Sequence, residues 1–168
     1  MVTIETGVLK GRRKHRDNMP QSLHSNFAHI VFSTKNREPM IAGDVVGRIH
    51  SYLAGIVQDQ GAGSISINGM PDHVHLLIKS SKTVTDANFM KELKGGSSSW
   101  INSNSIIPEH FKWQAGYGWF SVSPKDTDQV VSYIQNQAEH HKKVTFQEEY
   151  RKFLKSYNID DDERYVWD

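Results

Sequence analysis

Residues 64–79 read SISINGMPDHVHLLIK, two short runs of strand length separated by a turn. Glycine, proline and aspartate in the connection (69–72) are residues that tight turns favour, because they supply backbone freedom, a fixed φ and local hydrogen bonds. The runs 64–68 and 73–79 are therefore predicted to pair as an antiparallel hairpin.

The segment before the hairpin predicts a strand followed by a helix. Residues 27–33 are mostly apolar and alternate over a length typical of a strand. Asp44 can cap a helix in which apolar residues recur at helical spacing over 45–57, and Gly61 is suited to end it.

The segment after the hairpin predicts a helix and further strand structure. Thr85 or Asp86 begins the helix, in which Gly95 and Gly96 predict a kink or break because each costs about 1 kcal/mol relative to alanine. Residues 113–122, aromatic and interrupted by glycine, predict one or two strands.

The C-terminal part predicts two more helices. Asp126 or Thr127 caps a long third helix that continues through His141, and Thr145 opens a fourth with Glu148 in the capping-box position. The resulting order is strand, helix, hairpin, helix, strand, helix, helix. It predicts an α+β fold with an antiparallel sheet and helices packed on it.

Length and composition restrict the class of protein. The 168 residues fit one domain, and 37% hydrophobic with 23% charged residues indicate a folded chain. No apolar run approaches the ~20 residues that span a bilayer, so no membrane partner is expected. The absence of cysteine excludes a thiolate metal site and a cysteine nucleophile, and suits a cytoplasmic protein.

Charge is concentrated at the two ends of the chain. Residues 1–18 carry five Lys/Arg against two acids, and residues 160–168 carry five acids against one arginine. We predict a basic, flexible N-terminal extension over 1–18 and a single domain over 19–168, with 159–168 as an acidic tail. The net charge of +1 neither favours nor excludes a nucleic-acid partner.

Two histidines on the second hairpin strand are the first candidates for chemistry. Side chains alternate across a strand, so His73 and His75 project from one face while Val74 and Leu76 face the other. Two adjacent imidazoles can chelate one divalent metal ion, and Asp72 can orient a ring from outside the ligand set. The alternative is a fortuitous pattern in which one histidine is a surface residue.

A tyrosine on the third predicted helix is the second candidate. Tyr133 and Gln137 are four residues apart and so share a helix face. A tyrosine, with a reference pKa of about 10, attacks a phosphodiester well only with help from a cation. A metal held by imidazoles and an amide oxygen supplies that charge, and such ligands suit Mn²⁺, Mg²⁺, Co²⁺ or Zn²⁺. Taken alone, a Tyr and a Gln on one helix are commonplace.

The two motifs together resemble a known family. A His-hydrophobic-His strand followed by Tyr-x-x-x-Gln on a late helix is similar to the single-tyrosine transposases of the insertion-sequence 200/605 (IS200-like) type, within the HUH nuclease superfamily. The likeness covers roughly residues 20–158 and includes 27–32, 68–78, 97–100, 113–123, 133–143 and 145–150.

The resemblance implies a ferredoxin-like or RNA-recognition-motif-like HUH fold, acting in a prokaryotic cytoplasm. It implies a homodimer on single-stranded DNA with hairpins at the ends of a mobile element, with active sites that two subunits can share in trans. Tyr133 is then the nucleophile that forms a 5′-phosphotyrosine and a free 3′-OH. His73, His75 and Gln137 are then the ligands of Mg²⁺ or Mn²⁺.

Several further side chains are candidate DNA contacts, each with a structural alternative. Basic side chains can contact phosphates or form a solvated helix end, and aromatic rings can stack on unpaired bases or pack in the core. The candidates are Lys91, Lys94, Trp113, Tyr117, Trp119, His140, His141, Lys142 and Lys143.

Other functions remain open from the sequence alone. One is a domesticated relative that processes chromosomal palindromic repeats, and another is a non-catalytic protein that binds hairpin DNA. A metalloprotein that uses the two strand histidines without DNA is a third. A replication-initiator nickase or relaxase fits less well, because the Tyr-x-x-x-Gln spacing and the short single domain fit transposases better.

Overall fold

Four strands form one antiparallel sheet in the computed structural model, which describes residues 23–160. They are β1 (Phe27–Ser33), β2 (Gly63–Met70), β3 (His73–Lys79) and β4 (Gly118–Val122), and their order in the sheet is β2-β3-β1-β4. The predicted hairpin is confirmed as the pair β2–β3, and the predicted α+β class is confirmed with it.

Two helices cover one face of the sheet. Helix α1 (Val45–Asp59) connects β1 to β2, and α2 (Asp86–Ser103) connects β3 to β4. This βαββαβ order is the ferredoxin-like arrangement, as the resemblance implies. Alternate apolar side chains of the central strands pack against both helices: Ala28, Ile30, Phe32, Val74, Leu76 and Ile78 meet Ile49, Leu53, Val57, Phe89, Met90 and Leu93.

Three helices near the C-terminus cover the opposite face. They are α3 (Thr127–Gln135), α4 (Gln137–His140) and α5 (Phe146–Ser156). The remaining strand residues pack against them in two small clusters, in which Val31 and Phe120 contact Phe146 while Leu77 and Val122 contact Ile134. The histidines of β3 belong to this second face.

The predicted kink at Gly95-Gly96 is wrong, because α2 is continuous through both glycines. A Cβ on Gly96 would lie 3.3 Å from Ile56 Cδ1, so the missing side chain lets α2 approach α1 closely. This packing offsets the conformational cost of glycine in a helix.

Two other boundaries differ from the prediction. The third helix does not continue to His141, because it ends at Gln135 and Asn136 separates it from α4. The Asn136 side chain donates to the Ser132 carbonyl oxygen at 2.8 Å, a local bond with which asparagine competes with regular helix. Within 113–122 only β4 is a strand, and Trp113 joins Thr34 through an isolated bridge.

Among residues 23–160, no helix combines the length and apolar character needed to cross a membrane. The predicted extension over 1–18, and residues 161–168 of the predicted tail, lie outside the described residues.

Candidate active site

The two histidines of β3 lie side by side on the face that α3–α5 cover. His73 is 1% exposed and His75 is 0% exposed, so neither is a surface residue. Their ring centroids are 5.2 Å apart. Val74 and Leu76 belong to the opposite core, as strand alternation predicts.

Asp72 orients the first of these imidazoles. Its Oδ1 lies 2.7 Å from His73 Nδ1, and its Oδ2 accepts from Arg37 Nη2 at 2.8 Å. Burial alone would raise the pKa of the Asp72 carboxyl, but the hydrogen bonds and charges of His73 and Arg37 outweigh it and lower the pKa to about 2. The carboxylate is therefore an acceptor, His73 Nδ1 carries the proton, and His73 Nε2 points into the site.

His29 of β1 orients the second imidazole, a role that the sequence did not reveal. His29 Nε2 lies 3.0 Å from His75 Nδ1 across the β1–β3 pair. Burial lowers the pKa of His29 to about 4, so this imidazole is neutral near pH 7. With its Nδ1 engaged in this way, His75 presents Nε2, which is buried and has no hydrogen-bond partner among residues 23–160.

Tyr133 lies over the same histidines. Asn68 of β2 holds α3 against the sheet by donating to the carbonyl oxygens of Ile134 and Gln135, each at 3.1 Å. The half-buried Tyr133 ring stands edge-on to His75, with the ring centroids 5.9 Å apart. The tyrosine and the histidine pair therefore meet within one chain.

Gln137 is the first residue of α4, after the interruption of α3 at Asn136. Its side chain is fully buried, and its Nε2 lies 3.4 Å from Glu149 Oε1. Its Oε1 has no hydrogen-bond partner within the part of the chain that the structure describes. An amide oxygen that is buried and unpartnered is suited to a cation, as the predicted ligand role requires.

Two side chains that the sequence did not single out as ligands complete the cluster. His141 Nε2 lies 3.1 Å from His73 Nε2 and 3.3 Å from Glu149 Oε2, and this carboxylate oxygen lies 3.7 Å from His75 Nε2. Each of the four residues thus offers one ligand atom within 4.8 Å of all the others. The arrangement has the composition of a metal site.

The surroundings of Glu149 disfavour the charged form of its carboxyl group. Burial raises the pKa of its carboxyl to about 8. The imidazoles of His75, His140 and His141 lie 3.3–3.7 Å away. Burial lowers the pKa of all three, so they are neutral near pH 7 and do not form true ion pairs with Glu149. In metal-free protein the Glu149 carboxyl is therefore mostly protonated near pH 7, and a bound metal cation would favour its charged form.

The sequence carries a signal for Glu149 in the helix that follows the predicted capping box. The box is confirmed, with Thr145 and Glu148 bonding reciprocally at the start of α5. Glu149 lies three residues after Phe146 and four before Phe153, which places a carboxylate on the apolar stripe of the helix. A charge at that position indicates a buried partner.

Two candidate DNA contacts, Lys94 and Trp113, make hydrogen bonds within the chain. Lys94 Nζ donates to the carbonyl oxygens of Ala115 and Gly116 at 2.8 and 2.9 Å, and burial lowers its pKa to about 8. Trp113 is 8% exposed, and its indole N–H donates to Ser97 Oγ at 2.9 Å. Base stacking needs an open ring face, so the core alternative describes Trp113.

The other candidates differ in exposure. Trp119 is half-buried against Phe89, and His140 and His141 border the cluster described above. The exposed candidates are Lys91, Tyr117, Lys142 and Lys143.

Comparison with known proteins gives a consistent group of relatives. A family model described as "Transposase IS200 like" matches residues 22–137. The ISDra2 transposase TnpA of Deinococcus radiodurans is 27% identical over 114 residues, which cover 65% of this chain and 81% of that protein.

Two solved structures share the fold. A transposase structure from Deinococcus radiodurans superposes with a TM-score of 0.56 at 26% identity, covering 70% of this chain and 95% of the other. A REP-associated tyrosine transposase bound to a REP hairpin superposes with a TM-score of 0.55 at 13% identity, covering 74% of this chain and 73% of the other.

Proposed function

This chain belongs to the IS200-like transposase family, and from that premise we propose that it cleaves and rejoins single-stranded DNA through a covalent bond to Tyr133. The proposal rests on one observation: the Tyr133 side chain lies beside the buried histidine pair. The centroid of the Tyr133 ring is 5.9 Å from that of the His75 ring. The proposed substrate is a single-stranded element end marked by a hairpin, in the cytoplasm of a prokaryotic cell.

The proposed reaction is a phosphoryl transfer to the phenol oxygen. Tyr133 Oη attacks the phosphorus of a phosphodiester, the bond from phosphorus to the 3′-oxygen breaks, and the 3′-oxygen leaves with a proton as a free 3′-OH. The phenol proton passes to the neutral His140 imidazole, whose ring centroid lies 5.1 Å from that of Tyr133, and the imidazolium then returns a proton to the departing 3′-oxygen. In the joining step, a 3′-OH attacks the phosphotyrosine and Tyr133 is released.

The residues of the cluster suit a divalent metal. His73, His75 and Gln137 are the proposed ligands, and the buried unpartnered atoms His75 Nε2 and Gln137 Oε1 support that assignment. A bound Mg²⁺ or Mn²⁺ would supply positive charge to the scissile phosphate. Asp72 and His29 hold the two imidazoles so that Nε2 of each is directed into the site.

Binding of hairpin DNA by a homodimer is part of the same proposal. The exposed side chains of Lys91, Tyr117, Lys142 and Lys143 are the proposed contacts with phosphates and unpaired bases. Each chain holds its own Tyr133 beside its own His75, which favours an active site formed in cis.

A covalent-adduct gel tests the proposal. The probe is a pool of single-stranded oligonucleotides that carry one hairpin flanked by randomised nucleotides, labelled at either the 5′ or the 3′ end, with Mn²⁺ or Mg²⁺ and an EDTA control. We expect a denaturant-stable adduct that retains only the 3′ label, because the 5′ fragment leaves with its free 3′-OH.

Two tyrosine variants separate the nucleophile from a general loss of binding. Tyr133→Phe should abolish the adduct but keep the hairpin gel shift, whereas the control Tyr52→Phe, on α1 and stacked on Trp100, should keep the adduct. An adduct that survives Tyr133→Phe would assign the nucleophile elsewhere. A gel shift with no adduct from the wild type would instead indicate a protein that only binds hairpins.

A further inference from the structure

Several lone pairs of the cluster around His141 and Glu149 point toward one another, and the residues that the structure describes do not provide hydrogen-bond donors for all of them. His141 Nδ1 lies 2.9 Å from the Val144 carbonyl oxygen, which carries no hydrogen, so Nδ1 must be the protonated nitrogen. Its Nε2 then carries a lone pair. His73 is in the same state, because its Nδ1 donates to a carboxylate that Arg37 holds by an ion pair.

The two lone pairs face each other at short range. His73 Nε2 and His141 Nε2 are 3.1 Å apart, a distance at which two acceptors repel unless a positive centre lies between them. A proton would satisfy only this one pair. The nearby atoms His75 Nε2 and Glu149 Oε2 would remain buried and without a hydrogen-bond partner. One metal ion satisfies all four atoms.

We propose that His141 and Glu149 join His73 and His75 as the four ligands of a transition-metal site, which ties the segment α4–α5 to the sheet. The inference rests on the proposed function only in taking the two β3 histidines as ligands. It differs by adding His141 and Glu149 as donors, and the Gln137 side chain contacts the second of them through its Nε2, 3.4 Å from Glu149 Oε1.

The spacing of the donor atoms fits a four-coordinate ion. Around a tetrahedral ion with bonds of about 2.0–2.2 Å, neighbouring donor atoms are about 3.3–3.6 Å apart. Three of the six separations, at 3.1, 3.3 and 3.7 Å, are close to these values. The other pairs lie within 4.8 Å of one another, so the side chains would draw together around a bound ion.

The chemistry of the donors selects the kind of metal. Three imidazoles and one carboxylate suit Zn²⁺ or Co²⁺, whereas Mg²⁺ prefers oxygen ligands and retains several waters. All four residues are buried or nearly so, which leaves little room for such waters. A four-coordinate site made only of protein ligands is also closed, so a phosphate oxygen can enter only after a ligand leaves.

Titration with Co²⁺, followed by visible absorption, tests the ligand set in the full chain. We expect one Co²⁺ per chain with the intense spectrum of a tetrahedral site. Glu149→Gln and His141→Asn should each weaken that spectrum and raise the Kd at least about 10- to 100-fold, since even outer partners of metal ligands contribute that much. The exposed controls Glu139→Gln and His110→Asn should bind as the wild type does.

Two results would overturn the inference. One is wild-type Co²⁺ binding in both site variants, and the other is a weak octahedral spectrum in the wild type. Should a variant fail to fold, nitrogen NMR of the wild type gives an independent answer. Zn²⁺ should shift the Nε2 resonances of His73, His75 and His141 and leave His110 unchanged, whereas a shift of only the β3 pair would contradict the proposal.

Failure of this inference is distinguishable from failure of the proposed function. Tyr133→Phe removes the nucleophile but no proposed ligand, so it should bind Co²⁺ as the wild type does. An adduct without the tetrahedral spectrum would retain the function and reject the ligand set. The tetrahedral spectrum without an adduct would retain the ligand set and reject the proposed function.

Discussion

Gly69 lies where β2 closely approaches the backbone of the histidine strand, and replacing it should damage both the fold and the site. It pairs with Val74, between the two candidate ligands. A Cβ at this position would lie 2.2 Å from the His73 carbonyl oxygen and 2.8 Å from Val74 Cα. Non-bonded carbon atoms prefer about 3.5–4.0 Å, so Gly69→Ala must move the strands apart locally by roughly 1 Å.

The magnitude follows from the nature of the obstructing atoms. Both belong to the backbone, so no side-chain rotation relieves the contact. Overpacking of this kind costs about 1–3 kcal/mol, and alanine recovers about 0.4–1 kcal/mol through the unfolded chain. We expect the free energy of unfolding to fall by about 1–2 kcal/mol. Because the displaced carbonyl belongs to His73, Co²⁺ affinity should also fall about 10-fold or more.

Urea unfolding followed by circular dichroism, together with Co²⁺ titration, measures the two effects. The matched control is Gly95→Ala, because a Cβ there meets nothing within 4 Å and the position is inside α2. The control should gain about 0.5–1 kcal/mol of stability. If Gly69→Ala unfolded at the wild-type urea concentration and bound Co²⁺ equally well, the close approach described here would not exist in solution.

Three further predictions concern the site and the core. In metal-free protein, burial raises the pKa of Glu149 from 4.5 to about 8, so its contribution to stability is full below about pH 4.5 and is lost as pH rises to about 8. One pH unit corresponds to about 1.36 kcal/mol, so the free energy of unfolding of Glu149→Gln should rise by up to about 5 kcal/mol relative to wild type across that range. Urea unfolding in EDTA at several pH values measures this difference. A difference that stays constant with pH would contradict the prediction. A mixture of Tyr133→Phe and His73→Ala chains should form no adduct, because with the proposed cis site neither chain has both residues. An adduct would show that α3 reaches another subunit. Trp113→Phe should lose about 1 kcal/mol of stability with its bond to Ser97 and keep the hairpin gel shift, whereas weaker DNA binding at unchanged stability would indicate stacking.

Features that depend on neighbours in the chain could be predicted from the sequence. The alternation in β3 correctly places His73 and His75 on one face, because strand geometry alone determines it. The capping box at Thr145 was equally local and is confirmed. The turn residues between the runs gave the β2–β3 hairpin for the same reason.

Features that depend on tertiary contacts could not be predicted from the sequence. Whether Trp113 stacks on bases or packs in the core depends on Ser97, Phe32 and Phe111, which surround its ring but are distant or unmarked in the sequence. Helical spacing carries no sign of the break at Asn136. That break is what directs Gln137 toward Glu149 instead of leaving it one helical turn beyond the tyrosine.

The burial that makes the histidine cluster a good metal site also limits when it can act on DNA. His75 is 0% exposed and His73 is 1% exposed, so a phosphate oxygen cannot reach either ligand while α4 and α5 lie on the sheet. The side chains that close the site are His141 and Glu149, which the proposed ion would hold in place. If both proposals hold, cleavage requires the α4–α5 segment to move and these two proposed ligands to leave, while Asp72 and His29 keep the β3 imidazoles oriented. Metal affinity and access of DNA would then be opposed in this chain, because each additional protein ligand that raises the affinity for the metal also closes the site to phosphate.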